Sequence, residues 1–199
     1  MTYLLKPAGI GGTTAILLSA VPALANSWVP DPDHTEVVVS WGHIGFSTQS
    51  LEFLAFDGIL DVDLENVEAA SADFTVKTES VHSGAKVFDA ELVGETWFNS
   101  AVFPDARFIS TSIERTAENT VRVTGDLTIK EFTNEIVWDV TVNKIGENPV
   151  GQFLDYYKGT WMGVTATTEV PRSEFGLGAF EGIGTEMVTI TINTEMKQQ

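Results

Sequence analysis

The chain contains no cysteine. That removes thiolate nucleophiles, disulfide frameworks, thiolate-held zinc, iron–sulfur clusters, c-type haem attachment and an acylated N-terminal cysteine. Positive charge is scarce too, with 11 Lys+Arg against 28 Asp+Glu in 199 residues and a formal charge of −17. At a sequence pI of about 4.3, Coulomb repulsion opposes nucleic-acid phosphates and anionic membrane surfaces, and no nucleic-acid partner is expected. Catalytic signatures are also missing: there is no G-x-S-x-G elbow, no H-E-x-x-H, no P-loop and no G-x-G-x-x-G after a strand. The carboxylate pairs Asp31/Asp33 and Asp61/Asp63 are of a kind an acidic chain produces by chance, and read as solvated charge. Only three histidines are present. On an extended chain at about 3.3 Å per residue, His34 and His43 lie roughly 30 Å apart and cannot share a metal unless the strand bends sharply. No metal site is expected.

What is present points to a secreted globular domain. With 43% hydrophobic and 20% charged residues, the chain can bury a core, and its length suits one domain. Residues 1–25 place Lys6 ahead of an apolar stretch, Ala15 to Val21, and end in Ala23-Leu24-Ala25. A basic start, a short apolar region and a small-x-small triplet form the pattern cut by signal peptidase, so cleavage after Ala25 and a periplasmic location are expected. The apolar run is far below the roughly 18–20 residues that span a bilayer, and no stable membrane insertion is expected. Removing this leader leaves 174 residues with 10 Lys+Arg against 28 Asp+Glu, or −18.

From Asn26 onward the apolar residues recur mostly at every second position, the period of a strand with one dry face. Val121-Arg122-Val123-Thr124-Gly125-Asp126-Leu127-Thr128-Ile129-Lys130 keeps odd positions apolar or Gly and even ones polar. Residues 136–143 and 187–194 repeat the pattern with β-branched residues and Trp138. Eight strands are expected, near 35–43, 51–61, 66–80, 106–116, 120–130, 133–145, 159–170 and 185–196. Ala85 to Gly94 breaks the alternation and reads as one short helix ended by Gly94. Short turns at 117–119 and 131–132 require antiparallel pairing, and the Gly- and Pro-containing loops 146–158 and 171–184 belong at a rim.

Such an all-β chain can close into a barrel or fold as a sandwich, and eight long strands with short connections favour the barrel. At eight strands the interior is either filled by side chains or just wide enough for one ligand. An outer-membrane barrel is disfavoured, because Arg122, Asp126 and Lys130 share one face with Thr124 and Thr128, and the chain ends in Met-Lys-Gln-Gln.

A series of short motifs runs in order across residues 26–199: Asp31-Pro32-Asp33-His34-Thr35, His43-Ile44-Gly45-Phe46-Ser47 with Phe56-Asp57-Gly58, and Asp89-Ala90-Glu91-Leu92. Trp97-Phe98-Asn99, Phe103-Pro104-Asp105-Ala106-Arg107-Phe108, Gly125-Asp126-Leu127-Thr128-Ile129 and Pro171-Arg172-Ser173-Glu174-Phe175-Gly176 complete it. This order of motifs resembles the YceI-like family of periplasmic lipid-binding proteins. The resemblance implies an eight-stranded antiparallel, lipocalin-like barrel. Its central apolar cavity would hold an isoprenoid lipid, such as an isoprenoid quinone or polyprenyl phosphate, with no other cofactor. It also implies a binding and carrier protein rather than an enzyme, with a homodimer left open.

Phe46, Phe53, Phe56, Phe74, Phe98, Phe103, Phe108 and Trp138 supply the apolar surface such a cavity needs, although each alone reads equally as ordinary core. His34, His43 and Arg172 match family motif positions and are candidate donors to a polar head group. Arg172 has the alternative of pairing with Glu174, and His43 that of a hydrogen-bonded core residue. Two other readings remain at this point. One is an enzyme acting on a lipid or quinone, with His43 as acid–base and Arg172 holding an oxyanion. The other is a stress-related structural barrel with no ligand.

Overall fold

A computed structural model describes residues 26–180 and 182–199, so the leader and the expected cleavage after Ala25 lie outside the described residues. Ten strands form one sheet: β1 (Asn26–His43), β2 (Ser47–Phe53), β3 (Phe56–Asp63), β4 (Asn66–Lys77), β5 (Val81–His82), β6 (Asp105–Arg115), β7 (Thr120–Ile129), β8 (Phe132–Glu147), β9 (Thr160–Pro171) and β10 (Met187–Gln198). Every pairing is antiparallel, and β10 pairs with β1 to close the sheet. The closed ring runs β1-β10-β9-β8-β7-β6-β4-β3, an eight-stranded barrel. The helix α1 (Lys86–Leu92) sits in the β5–β6 connection.

The stretch expected as one strand over 51–61 is two. Residues Leu54 and Ala55 turn out of line, their N–H groups donating to the Ser80 carbonyl and hydroxyl at 3.2 and 3.0 Å. On one side of this corner β2 pairs with the end of β1 (Val38↔Glu52 to His43↔Ser47), and on the other β3 pairs with its start (Asn26↔Val62 to Trp28↔Leu60). Together β2 and β3 fill one place in the barrel. The first strand also begins at Asn26 rather than near residue 35. Pro30 and Pro32 argue against a central strand, and here they fall at an irregularity between Pro30 and Thr35, where the missing N–H groups break no regular ladder.

Each barrel end has its own character. The starts of β2, β6, β8 and β10 and the ends of β4, β7 and β9 meet at one end, where α1 and the loop after β9 lie. Buried Phe53, Leu92, Phe98 and Phe175 pack there, and rings of Trp41, Phe88, Trp97 and Phe180 follow one another at 6.1–6.4 Å. This end is plugged. The opposite end carries the β3–β4 and β6–β7 turns and the β8–β9 connection, residues 148–159.

Candidate ligand cavity and its mouth

Inward-pointing side chains leave a cavity of about 300 Å³ between the barrel's middle and the unplugged end. That volume is at the lower end of the range for small-molecule sites. Its wall is nearly all apolar, including Val37, Leu60, Ala72, Val123, Val140 and Ala166. Parity along the strands explains why these side chains meet. On β7 the odd residues Val121 and Val123 face in, and on β8 the even residues Trp138, Val140 and Val142 do.

Bulges then switch the face. A register shift between Ser110 and Ser112 moves the inward set on β6 from Phe108 to Ile113 and Arg115, and one between Val142 and Lys144 brings Ile145 inward on β8. One extra residue reverses the alternation, which a reading at fixed period two cannot detect. Two glycines make room for rings. A Cβ on Gly58 would stand 2.1 Å from the Phe74 ring, and one on Gly125 would stand 2.3 Å from the Ile109 carbonyl oxygen and 2.5 Å from the Phe108 ring. Each glycine is therefore covered by an aromatic side chain of its neighbouring strand.

Of the candidates named from sequence, Phe56, Phe74, Phe108 and Trp138 line the cavity, with Phe108 and Trp138 edge to face at 6.1 Å. The others stand elsewhere. Phe53 and Phe98 pack against each other at 5.4 Å in the plugged end. Phe103 sits half-buried before β6, its carbonyl accepting from the Thr78 hydroxyl. Phe46 does not face inward at all. It lies at the β1–β2 turn and is 88% exposed, because the tight turn 44–46 projects it past the barrel's end.

The polar candidates also separate. Arg172 is 8% exposed, and its guanidinium is spent on main-chain carbonyls: Nε donates to Thr185 at 3.1 Å, and Nη1 to Ala179 at 3.0 Å and to Leu177. It pins the loop over the plugged end and lies over Trp97, 6.0 Å from the ring centre. The Glu174 pairing is not what holds it. His43 ends β1 beside Gly184, so neither His43 nor Arg172 borders the cavity.

His34 lies near the mouth, in a network centred on Asp31, which is 2% exposed. The Asp31 carboxylate accepts from the Tyr156 hydroxyl at 2.9 Å and the Asp33 N–H at 3.3 Å, and meets His34 Nδ1 at 2.6 Å. Burial pushes the Asp31 carboxyl up, but the hydrogen bonds from His34, Tyr156 and Asp33 outweigh it and leave the group below the usual aspartate value. The bond to Asp31 in turn raises the His34 imidazole above its usual value. Burial, then the hydrogen bond to Asp31 and its charge, raises the Tyr156 phenol. The network ties the irregular part of β1 to the 148–159 connection, where Tyr157 stacks on Trp161 at 5.4 Å and Lys197 lies 4.8 Å over the Tyr156 ring.

Several mouth residues carry little sequence signal of their role. Arg115 lines the cavity's outer part and donates to the Glu118 and Leu64 carbonyls at 3.2 and 3.4 Å, joining two turns. Thr35 and Thr194, hydrogen-bonded at 2.6 Å, and Asn119 are the neutral polar groups beside it. The one available signal was a basic residue at a strand end in a chain poor in bases.

Residues 28–196 match the YceI-like domain family. The chain belongs to the YceI-like family. A UPF0312 protein of Pseudomonas putida is 30% identical over 183 residues, spanning 91% of this chain and 90% of its own. Another, from Pseudomonas savastanoi pv. phaseolicola, is 33% identical over 146 residues, 72% of this chain and 76% of its own. Among solved structures, Burkholderia cenocepacia BcnA superposes with a TM-score of 0.73 at 23% identity, covering 83% of this chain and 98% of BcnA. A polyisoprenoid-binding domain from Saccharophagus degradans superposes at 0.67 with 13% identity, covering 89% and 100%. At these identities the structural matches establish the fold of a YceI-like barrel.

Proposed function

We propose that this YceI-like protein is a periplasmic carrier that holds the chain of an isoprenoid lipid in its barrel and shields it from water. The cavity is the observation that carries the reading: an almost wholly apolar wall around a space of about 300 Å³ that opens toward the unplugged end of an otherwise packed barrel. Family membership and the resemblance in fold to a domain described as polyisoprenoid-binding support the same ligand class. Burying an apolar chain gains about 25 cal/mol per Å² before ordering costs, so an isoprenoid tail suits this wall and a charged substrate does not.

The tail lies along Phe74, Phe108 and Trp138, and the head group, a quinone or a phosphate, sits at the mouth near Arg115, Asn119 and Thr35. Secretion follows from the leader cut after Ala25. No bond is made or broken in this role. The enzymatic alternative in its simplest form required His43 and Arg172 on the cavity wall, and both lie away from it. The test is native mass spectrometry of protein purified without detergent from its own periplasm, followed by organic extraction. A stoichiometric isoprenoid is the expected result. Protein recovered empty, which also takes up no added quinone or polyprenyl phosphate, overturns the proposal.

A further inference from the structure

The cavity stops part-way along the barrel, and the stop falls at the same level on neighbouring strands. On β7, Val123 lines the cavity while Leu127 is buried in the core and borders no space. On β8 the boundary falls between Trp138 and Ile136, and on β9 between Ala166 and Val170. A shelf of rings marks it. The Phe108 ring of β6 lies over Gly125 of β7 and meets Trp138 of β8 edge to face at 6.1 Å. Phe74 of β4, the cross-strand partner of Phe108, lies the other way, over Gly58 of β3. Three rings thus cover the wall from β3 to β8, with the packed plug behind them.

Length and volume above this shelf agree. From Phe108 at the floor to Arg115 at the mouth, β6 climbs about 20 Å along itself with its bulge allowed for, and roughly 15 Å along the barrel axis at the usual strand tilt of about 40°. An extended isoprene unit, four main-chain carbons joined by bonds of about 1.5 Å, advances roughly 5 Å. The depth therefore matches about three units. The volume of about 300 Å³ holds about 10–15 carbon-sized groups at ~20–30 Å³ each, which is two to three units.

We infer that the cavity selects its ligand by chain length: it takes about three isoprene units, and Phe108 and Trp138 form the floor against which the tail ends. This length limit rests on the lipid-binding reading and narrows its ligand class to short-chain isoprenoids. A fourth unit gains no burial, because the only space left for it is water outside the mouth or the core already filled by Leu127, Ile136 and Val170.

Isoprenoid quinones that share one head group and carry tails of one to five units are titrated into the purified protein, at concentrations where the quinones are monomeric, and read by quenching of tryptophan fluorescence. Affinity should rise up to about 30-fold with each unit as far as the third, and change less than about threefold from the third to the fifth. A rise that continues at tenfold or more per unit through the fifth, or one that levels after the first, overturns the length limit and leaves the lipid-binding reading standing. No quenching at any tail length removes that reading, and the length limit with it. Phe108→Ala clears the room of about one unit at the floor, so in that protein the rise should extend to the fourth unit. A folded Phe108→Ala protein that still levels at the third overturns Phe108 as the stop, while the wild-type series needs no variant and decides the length limit alone.

Discussion

Ala166→Phe is the most direct way to ask whether the cavity holds the ligand. Ala166 is on β9 between Val140 of β8 and Ile192 of β10, and all three line the cavity. The added ring points into a space of about 300 Å³, so the usual penalty of about 1–3 kcal/mol for overpacking a filled core does not apply. The melting temperature should hold or rise by a few degrees, since about 1 kcal/mol moves a domain of this size by roughly 2–4 °C.

The ring takes the room of about one five-carbon isoprene unit. At about 0.8 kcal/mol per buried CH₂, that unit is worth at most about 4 kcal/mol. Ordering of the chain and imperfect fit leave about half, and a loss of ~2 kcal/mol weakens binding roughly 30-fold. The assay is titration with a short-tailed isoprenoid quinone, followed by fluorescence quenching, with Trp138 in the cavity wall as the nearest reporter. Thr167→Phe is the control, because the next residue points to the opposite face and lines a groove on the barrel's outside. Unchanged quinone affinity in a folded Ala166→Phe protein would refute the placement of the ligand. A melting temperature lowered by more than about 6 °C would refute the claim that the space is open.

Asp31→Ala should cost about 2–3 kcal/mol, because it leaves the Tyr156 hydroxyl and the Asp33 N–H without their acceptor. Hydrogen exchange should quicken in residues 148–159 specifically, and wild-type protection there would contradict the tie. The His34–Asp31 pair makes stability depend on pH with a defined sign. The raised His34 value gives a contribution present in full below about pH 6.5 and lost as pH rises through the folded value, and the lowered Asp31 value gives one present above about pH 4 and lost below it. The difference in melting temperature between wild type and His34→Gln should therefore be largest near pH 5.5 and shrink by pH 8.5. Because His34 is 43% exposed, solvent screening holds the effect to about 1 kcal/mol or less, and a difference independent of pH would refute it. Gly125→Ala should cost about 3 kcal/mol or more, since its Cβ would overlap the Ile109 carbonyl oxygen. Gly45→Ala has open space and only an unfavourable backbone angle, φ 74°, and should cost about 1–2 kcal/mol, so equal effects on thermal denaturation would refute the steric argument.

The alternation along 121–130, 136–143 and 187–194 determined by itself that these segments are strands with one dry face, because a period of two is a local property of the backbone. Turn lengths likewise determined the antiparallel pairing, and the broken alternation over 85–94 determined α1. The site was only partly legible. Phe56, Phe74, Phe108 and Trp138 follow from inward parity on stretches that no bulge interrupts, whereas Ile113, Arg115 and Ile145 lie beyond one in their strand and face the cavity because the extra residue reverses that parity. Whether a large ring lies in a wall, in a plug or in water depends on where along the barrel axis its strand places it. Phe53 and Phe98 are plug, and Phe46 is surface, for that reason. Arg172 shows the same limit for charge: its guanidinium is consumed by carbonyls five to thirteen residues further along the chain, a match that exists only once the loop has closed over the barrel's end. Tyr156 reaches Asp31 across 125 residues of sequence because closure of β10 on β1 brings the barrel's two edges together. No local pattern encodes that meeting, and the mouth depends on it.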